Sequence, residues 1–443
     1  MALVSPLVLK IITRALLVIG LALAIMFVPN LSIFDEKPLP EITDLLSKSI
    51  NPNIEGNAVY YLYGLAAASD KSPYTVGKNV VATLQSKHSK GEMANLTEQE
   101  IADLYGGNGK WDEEWPAIYT AANCNPREKT YCFAELVTQV KTYPFSEPRL
   151  RVQLERYRNI IQLSHLIEDT HLMDWTSPLP NYYIMMQMGK LSQAKAYQDS
   201  GLDGLINDCQ TDMKFWRMAL TDSQTLLGRM VSLASLRRNL SALSYAIANE
   251  KEVSFAQAQS IQALLNPLTP KEISTAKALI GELKFGVENW QTAPRKIPEG
   301  ESSILWLLTQ PTAWSNWFYQ QTLKPAFALD KMSPMEFYEH AQTPIKPLKF
   351  SHINPYNLGG KIYQSKNWQF ASYIGRAHDV AGIYSLVSLQ LELKTHPTQD
   401  VIAAIKTSAY KNPYTQKSFD YDAATGSLSF AGFDAKDLCK IVL

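Results

Sequence analysis

The chain has 443 residues, enough for two or three domains, and 46% of them are hydrophobic, which supports sizeable cores. Its 42 basic and 42 acidic residues cancel, so neither nucleic acid nor an anionic lipid surface is expected as the main partner. Low-complexity tracts and clear short-period repeats are absent.

The first legible element is apolar. Ala15 to Val28 runs without a polar interruption, but alone it covers only ~21 Å of a ~30 Å hydrocarbon core. Starting at Leu7, with Lys10 and Arg14 snorkelling toward the headgroups, it reaches the roughly twenty residues a spanning helix needs. Membrane contact is therefore expected through residues 7–28, within an anchor region 1–34. Basic residues precede the run and Asp35 and Glu36 follow it, so the positive-inside rule puts the N-terminus in the cytoplasm and the bulk of the chain outside. A cleaved signal peptide is the competing reading, with Ala22-Leu23-Ala24 as the small-x-small site. Cleavage there leaves an apolar core of only about seven residues, and a mature end beginning Ile25-Met26-Phe27-Val28. A retained anchor is the expectation.

Residues 35–145 read as short helices and loops. Thr97 to Glu100, "TEQE", is a capping box, in which hydroxyl and carboxylate each satisfy an orphan amide. "WDEEWP" (Trp111 to Pro116) sets three carboxylates between two tryptophans. A sugar cleft needs opposed carboxylates, which adjacent loop residues seldom provide, so a helix start with its indoles in the core is preferred. Cys124 and Cys132 bracket the polar loop "CNPREKTYC" and are expected to form a local disulfide, stabilising by ~2–3 kcal/mol in the entropy model. Their spacing matches neither a zinc knuckle nor a C-x-x-C redox pair. Cys209 and Cys439 remain as a second candidate pair, with connectivity open.

From Ser146 the periodicity is helical. Leu150, Leu154, Tyr157 and Ile161 share one face, predicting a helix from 146 to about 175. Further helices are expected over Tyr182 to Gly201, Leu202 to Leu220 and Thr221 to Asn249, joined by links short enough to force antiparallel neighbours. "TPKE" at Thr269 to Glu272 is another start signal, so 146–300 reads as a helical array. Within it "SHLIEDTHLMDW" concentrates ligand-type side chains. His165, Glu168 and His171 at i, i+3, i+6 are the candidate zinc ligands, although the two histidines lie about 120° apart on a helical wheel. A solvated polar face is the simpler reading.

In 301–443 the tryptophan-rich "SSILWLLTQPTAWSNWFYQQ" (Ser302 to Gln321) suits the membrane surface by its indoles. Thr309, Gln310, Ser315 and Asn316 interrupt it, favouring core packing or a protein-binding groove. "SPME" at Ser333 to Glu336 starts another helix, and one more is expected from about Thr398 to Tyr410. Phe419 and Tyr421 alternate with polar residues, "AATG" supplies a turn, and Leu428 and Phe430 alternate again, which is a hairpin signal.

The cysteine pair ahead of a helix bearing "LERYRNI" (Leu154 to Ile160), and the tail "NPYTQKSFDY" (Asn412 to Tyr421) with "SFAGFD" downstream, carry a resemblance. They resemble a loosely defined group of bacterial single-pass inner-membrane proteins with a large helical periplasmic domain. The tail is similar to the D-P-aromatic-x-G-x-P-x-x-Y hairpins that end many of them, with Asn412 for the Asp, Gln416 for the Gly and Ser418 for the second Pro. The match spans about fifty residues. It implies architecture and location, and brings no catalytic residue.

Nucleophile and phosphate motifs fail: there is no G-x-S-x-G, "GGNGKW" lacks the Ser/Thr of a phosphate loop, and no strand leads into G-x-G-x-x-G. The expected fold is mainly α, a bundle or solenoid-like array with one N-terminal transmembrane helix and a small C-terminal β-hairpin. The expected function is binding or scaffolding of envelope partners, without catalysis and without a cofactor. The alternative is a membrane-tethered hydrolase assembled only in the fold, with zinc at His165, Glu168 and His171.

Overall fold

The computed structural model describes residues 6–48, 53–92, 94–106, 132–169, 176–292, 307–341, 355–364, 370–434 and 438–443. It begins with α1 (Pro6–Phe27), whose 22 residues extend about 33 Å at the α-helical rise. Lys10–Asn30 is long and apolar enough to cross a membrane, and its apolar window is not buried against the rest of the chain. The expected span 7–28 falls on this helix.

After α2 (Pro40–Ser47) come α3 (Ala58–Gly64) and α4 (Pro73–Ser89). These two cross so closely that a Cβ on Gly77 would stand 1.7 Å from the Tyr60 carbonyl oxygen. α5 (Glu98–Tyr105) starts on the expected Thr97–Glu100 capping box. Val59, Tyr63, Val76, Val80 and Leu84 form a small core of their own in this unit.

The main core follows. α6 (Cys132–Val140) and α7 (Pro148–Ile160) lead to α8 (Tyr182–Asp222) and α9 (Leu226–Asn249). α8 turns back on itself where Ser200 and Gly201 leave helical geometry, Gly201 at φ 60°. Its halves pack antiparallel: Ser192 Oγ donates to Asp208 at 2.7 Å, and Ala196 and Gly204 face each other closely. This is the pair of helices the sequence divides at Gly201, because only a residue without a Cβ takes that φ at no cost. α10 (Phe255–Leu264), α11 (Pro270–Ile273) and α12 (Ala276–Thr292) close the array. The "TPKE" box forms, yet it starts only one turn, α11.

α13 (Pro311–Phe318) passes through a π-helical turn (Tyr319–Leu323) into α14 (Lys324–Leu329), followed by α15 (Pro334–Ala341) and α16 (Leu358–Gln364). α17 (Ala371–Thr395) runs parallel to α9, with Gln390 donating to the Ser244 carbonyl and Lys394 to that of Ala248. α18 spans Val401–Thr407, shorter than expected, because Asp400 caps its start and the chain extends after Thr407. The sheet has order β1-β2-β3, from β1 (Asp420–Asp422), β2 (Ser427–Ala431) and β3 (Leu438–Val442), all antiparallel. β1 and β2 are the expected hairpin, with Tyr421 opposite Leu428, and β3 adds a strand. The fold is mainly α, with one apolar N-terminal helix and a small C-terminal sheet. One buried cluster joins Ile42, Leu150, Leu205, Leu240, Trp314, Leu386 and Phe430.

One expectation is corrected. The helix predicted from 146 to about 175 stops at Ile160. Residues 164–169 are extended, because Asn57 takes over backbone bonds there: its side chain accepts from Ile167 N–H and donates to the Ile167 carbonyl, at 3.0 and 2.9 Å. Ala58 N–H donates to the His165 carbonyl at 2.8 Å. Leu166 and Ile167, which mimic a helical stripe, are buried from an extended segment instead.

Candidate functional site

The candidate zinc ligands lose their helical spacing with that correction. His171 lies outside the described residues, as do Cys124 and "WDEEWP". Glu168 is buried, and its carboxylate accepts from Tyr182 Oη, Ser223 Oγ, the Gln224 N–H and Thr225 Oγ1, at 2.8 to 2.9 Å. It thereby ties the extended segment to both ends of the α8–α9 link, and Gly228 leaves room for it, since a Cβ there would stand 1.9 Å from Oε1. His165 has a separate partner, with Nδ1 3.1 Å from Asp222 Oδ2. Among the described residues, no group of three His, Cys, Asp or Glu side chains is placed to hold a metal ion.

The second candidate disulfide is also corrected. Cys209 and Cys439 are buried thiols that are not bridged to each other. Cys209 sits in the second half of α8 at 3.9 Å from Gln193 Nε2, whereas Cys439 faces Phe430 across the sheet. Burial, followed by Asp208 and Asp212, pushes the Cys209 thiol well above its usual range, so it is no ready nucleophile. Among the described residues no two sulfurs are at bonding distance.

The densest polar group was not singled out from the sequence. Asp212 on α8 is fully buried and accepts from Trp216 Nε1 at 2.9 Å and Asn239 Nδ2 at 2.6 Å, and also from Tyr157 Oη and Arg238 Nη2. Asn239 in turn accepts from Gln193 Nε2 at 2.6 Å. Arg238 reaches across the first half of α8 only because Gly189 has no side chain, where a Cβ would lie 2.3 Å from Nη1. Burial opposes the Arg238 charge, but Asp212, Tyr157 and Asp208 together outweigh it and raise its pKa. Nearby, burial and Asp212 push Asp208 up to about 6 against the Ser192 hydrogen bond, and burial beside Arg238 lowers Lys190 to about 8. Four donors occupy Asp212, so it has no lone pair free for a substrate. The cluster locks α7, both halves of α8 and α9 together. Its sequence signal is charge at core positions, Asp208 and Asp212 one turn apart and Arg238 inside a leucine stripe.

A second polar group joins α1 to the domain. Asn30 is buried, donates to the Pro355 carbonyl at 2.7 Å, and accepts from Asn357 N–H at 2.7 Å. Gln310 Nε2 donates to the carbonyls of Pro29 and Leu31, at 3.2 and 3.0 Å. Asp35 accepts from the Thr312 and Ala313 N–H groups at 2.9 and 3.0 Å, capping α13 from far away in sequence. Asn316 accepts from Leu39 N–H and donates to Glu36 and the Lys37 carbonyl, at 2.8 to 3.0 Å. Two of the polar residues that interrupt the tryptophan-rich stretch, Gln310 and Asn316, are thus fastening points of the N-terminal segment. Trp314 beside them is buried and stacks on Phe318 at 4.9 Å, the core packing expected of this stretch.

Comparison with known proteins finds no matching family model, curated protein or solved structure. The fold and its joint define a class by themselves: a helical domain fastened, without a free linker, to an apolar helix of membrane-spanning length.

Proposed function

We propose that the protein is a single-pass membrane protein, its N-terminus cytoplasmic and its helical domain in the bacterial periplasm, where it binds or scaffolds other envelope proteins. The exposed apolar helix of spanning length carries this reading, and the buried hydrogen bonds at its end, beyond Ala24, join it to the domain without a free linker. The basic residues before the span and the acidic ones after it support the orientation. The resemblance of the Asn412 to Tyr421 tail to those of bacterial envelope proteins supports the compartment. A binding role is favoured over chemistry because the two densest buried polar groups are taken up in holding the fold: Glu168 and Asp212 each hold four donors.

The test uses the full chain expressed in a bacterium, by intact mass and protease access. The expected result is an uncleaved chain whose domain is protected in whole cells and digested in spheroplasts. A mass truncated after Ala24, or a domain digested only in inverted vesicles, overturns the topology. Stoichiometric zinc in the purified protein, lost on His165→Ala, overturns the binding role in favour of the tethered hydrolase.

A further inference from the structure

We infer that the domain does not hang from its anchor but stands on the bilayer, inserting an apolar foot made by Val28, Leu31, Ile33 and Phe34 together with Leu307 and Ile362 into the lipid interface. The inference rests on the anchor reading above and goes beyond it, since a tether alone leaves the orientation of the domain free.

Position is the first reason. The candidate span ends at Asn30, and Asn30 is itself buried in the domain, so no residues are left over for a linker. Whatever part of the domain surrounds Leu31 to Phe34 meets the headgroups before it meets any protein. Exposure is the second. Ile33 is 78% and Leu307 61% exposed, and Val28, Leu31, Phe34 and Ile362 are exposed as well. Away from this corner, large exposed apolar side chains such as Phe255, Met335 and Ile402 stand singly on separate helices. Scattered singles are ordinary, whereas a concentration of them marks a contact surface.

Covalent order and hydrogen bonds bring the pieces together. Asn357 N–H donates to Asn30, Gln310 N–H donates to Asn357 Oδ1 at 3.0 Å, and Gly359 N–H donates to the Leu308 carbonyl at 2.9 Å. Leu307 adjoins that last contact, and Ile362 follows Gly359 by one turn of α16. Asp35 and Asn316 clamp the chain just beyond Phe34, so the foot is held to α13. The flank carries Asp35, Glu36, Lys37 and Lys361, both signs together. It therefore gives no preference for anionic lipid, and the surface it fits is the acyl–headgroup boundary of a zwitterionic bilayer.

The test places a nitroxide on single cysteines introduced into the full chain, Leu17→Cys, Ile33→Cys, Leu307→Cys and Phe255→Cys, in phosphatidylcholine liposomes, with the unsubstituted chain as blank. All four sites are exposed, so labelling does not disturb the core. The ratio of collisions with oxygen to collisions with a water-soluble nickel chelate reads lipid against water. Leu17 reports the anchor alone and Phe255 the aqueous face. The expected result is a ratio at Ile33 and Leu307 at least ~5-fold above that at Phe255. Nickel access at Ile33 and Leu307 equal to that at Phe255, with Leu17 still in lipid, overturns the foot and spares the anchor. Protection of both sites from both reagents means that protein covers them, and also overturns it. Nickel access at Leu17 removes the anchor reading, and the foot with it.

Discussion

Asp212 and Arg238 are charged side chains held where water does not reach, and each is tolerable only because of the other. Truncating one leaves the partner uncompensated. Arg238→Ala is expected to destabilise the protein by ~3–5 kcal/mol, read by denaturant unfolding of the full chain in detergent. The double variant Asp212→Leu, Arg238→Met is expected to lose less than the sum of the two single variants, because it removes both charges; additive losses would show that the pair is not coupled. His378 on α17 is the other residue with a thermodynamic signature. It packs 5.1 Å from Phe337, neither ring nitrogen has a hydrogen-bond partner, and burial lowers it to about 4 despite Asp330, with Arg229 adding to the fall. The unfolded chain then takes up a proton before the folded one does, so stability from this group is full above pH ~6.5 and drains away as pH falls toward 4, a total on the order of 3 kcal/mol. Asp208 runs the other way, losing stability as pH rises from ~4 to its folded value of about 6. Between pH 7 and pH 6 His378 dominates, and His378→Asn is expected to flatten the thermal stability profile there. An unchanged slope would place the proton elsewhere.

At the scale of elements, the tail motif acquires a mechanical meaning. Tyr414 Oη donates to the Gly375 carbonyl at 3.0 Å and to Asp379 Oδ1 at 2.6 Å, and the Phe433 N–H donates to the same carboxylate oxygen at 2.9 Å. Gly375 and Gly382, two turns apart on α17, let the tail lie against the helix backbone. A Cβ on Gly375 would stand 2.4 Å from Phe433, and one on Gly382 2.5 Å from Phe430. Helix propensity alone makes Gly→Ala favourable by ~1 kcal/mol. The close approach reverses the sign, and Gly382→Ala is expected to cost ~1–3 kcal/mol net, because Phe430 is fully buried and cannot swing aside. A stabilised Gly382→Ala variant in thermal melts would refute the packing described. The hairpin was legible because its alternation and turn are local. What it rests on was not, since nothing near Gly382 in sequence announces Phe430. The helix stop at Ile160 was equally hidden, because Asn57 enforces it from a distant segment.

For the whole molecule, the joint decides whether the anchor and the domain move as one body. Asn30→Ala removes the partners of the Pro355 carbonyl and the Asn357 N–H at once. Leaving buried groups unpaired costs about 1–3 kcal/mol each, here concentrated at the neck. The expected outcome is proteolysis between Phe27 and Leu39 at protease levels that leave the parent chain whole, with the rest of the domain as resistant as before. A variant as resistant as its parent would mean that the neck is held by other contacts.

The sequence by itself determined the elements whose causes are local. A long apolar run makes an exposed spanning-length helix, Thr97 and Thr269 cap their own helices, Gly201 reverses the chain, and alternation with a turn makes β1 and β2. Only the tertiary structure decided which polar residues matter. Glu168 accepts from the Thr225 hydroxyl that caps α9 instead of joining His165, Asp212 and Arg238 meet across a glycine, and amides within an aromatic stretch fasten the N-terminal segment. The physical reason is that a buried polar group is stable only with a partner in reach. That partner comes from whichever segment the fold brings near, so neither its identity nor its distance along the chain is written beside it.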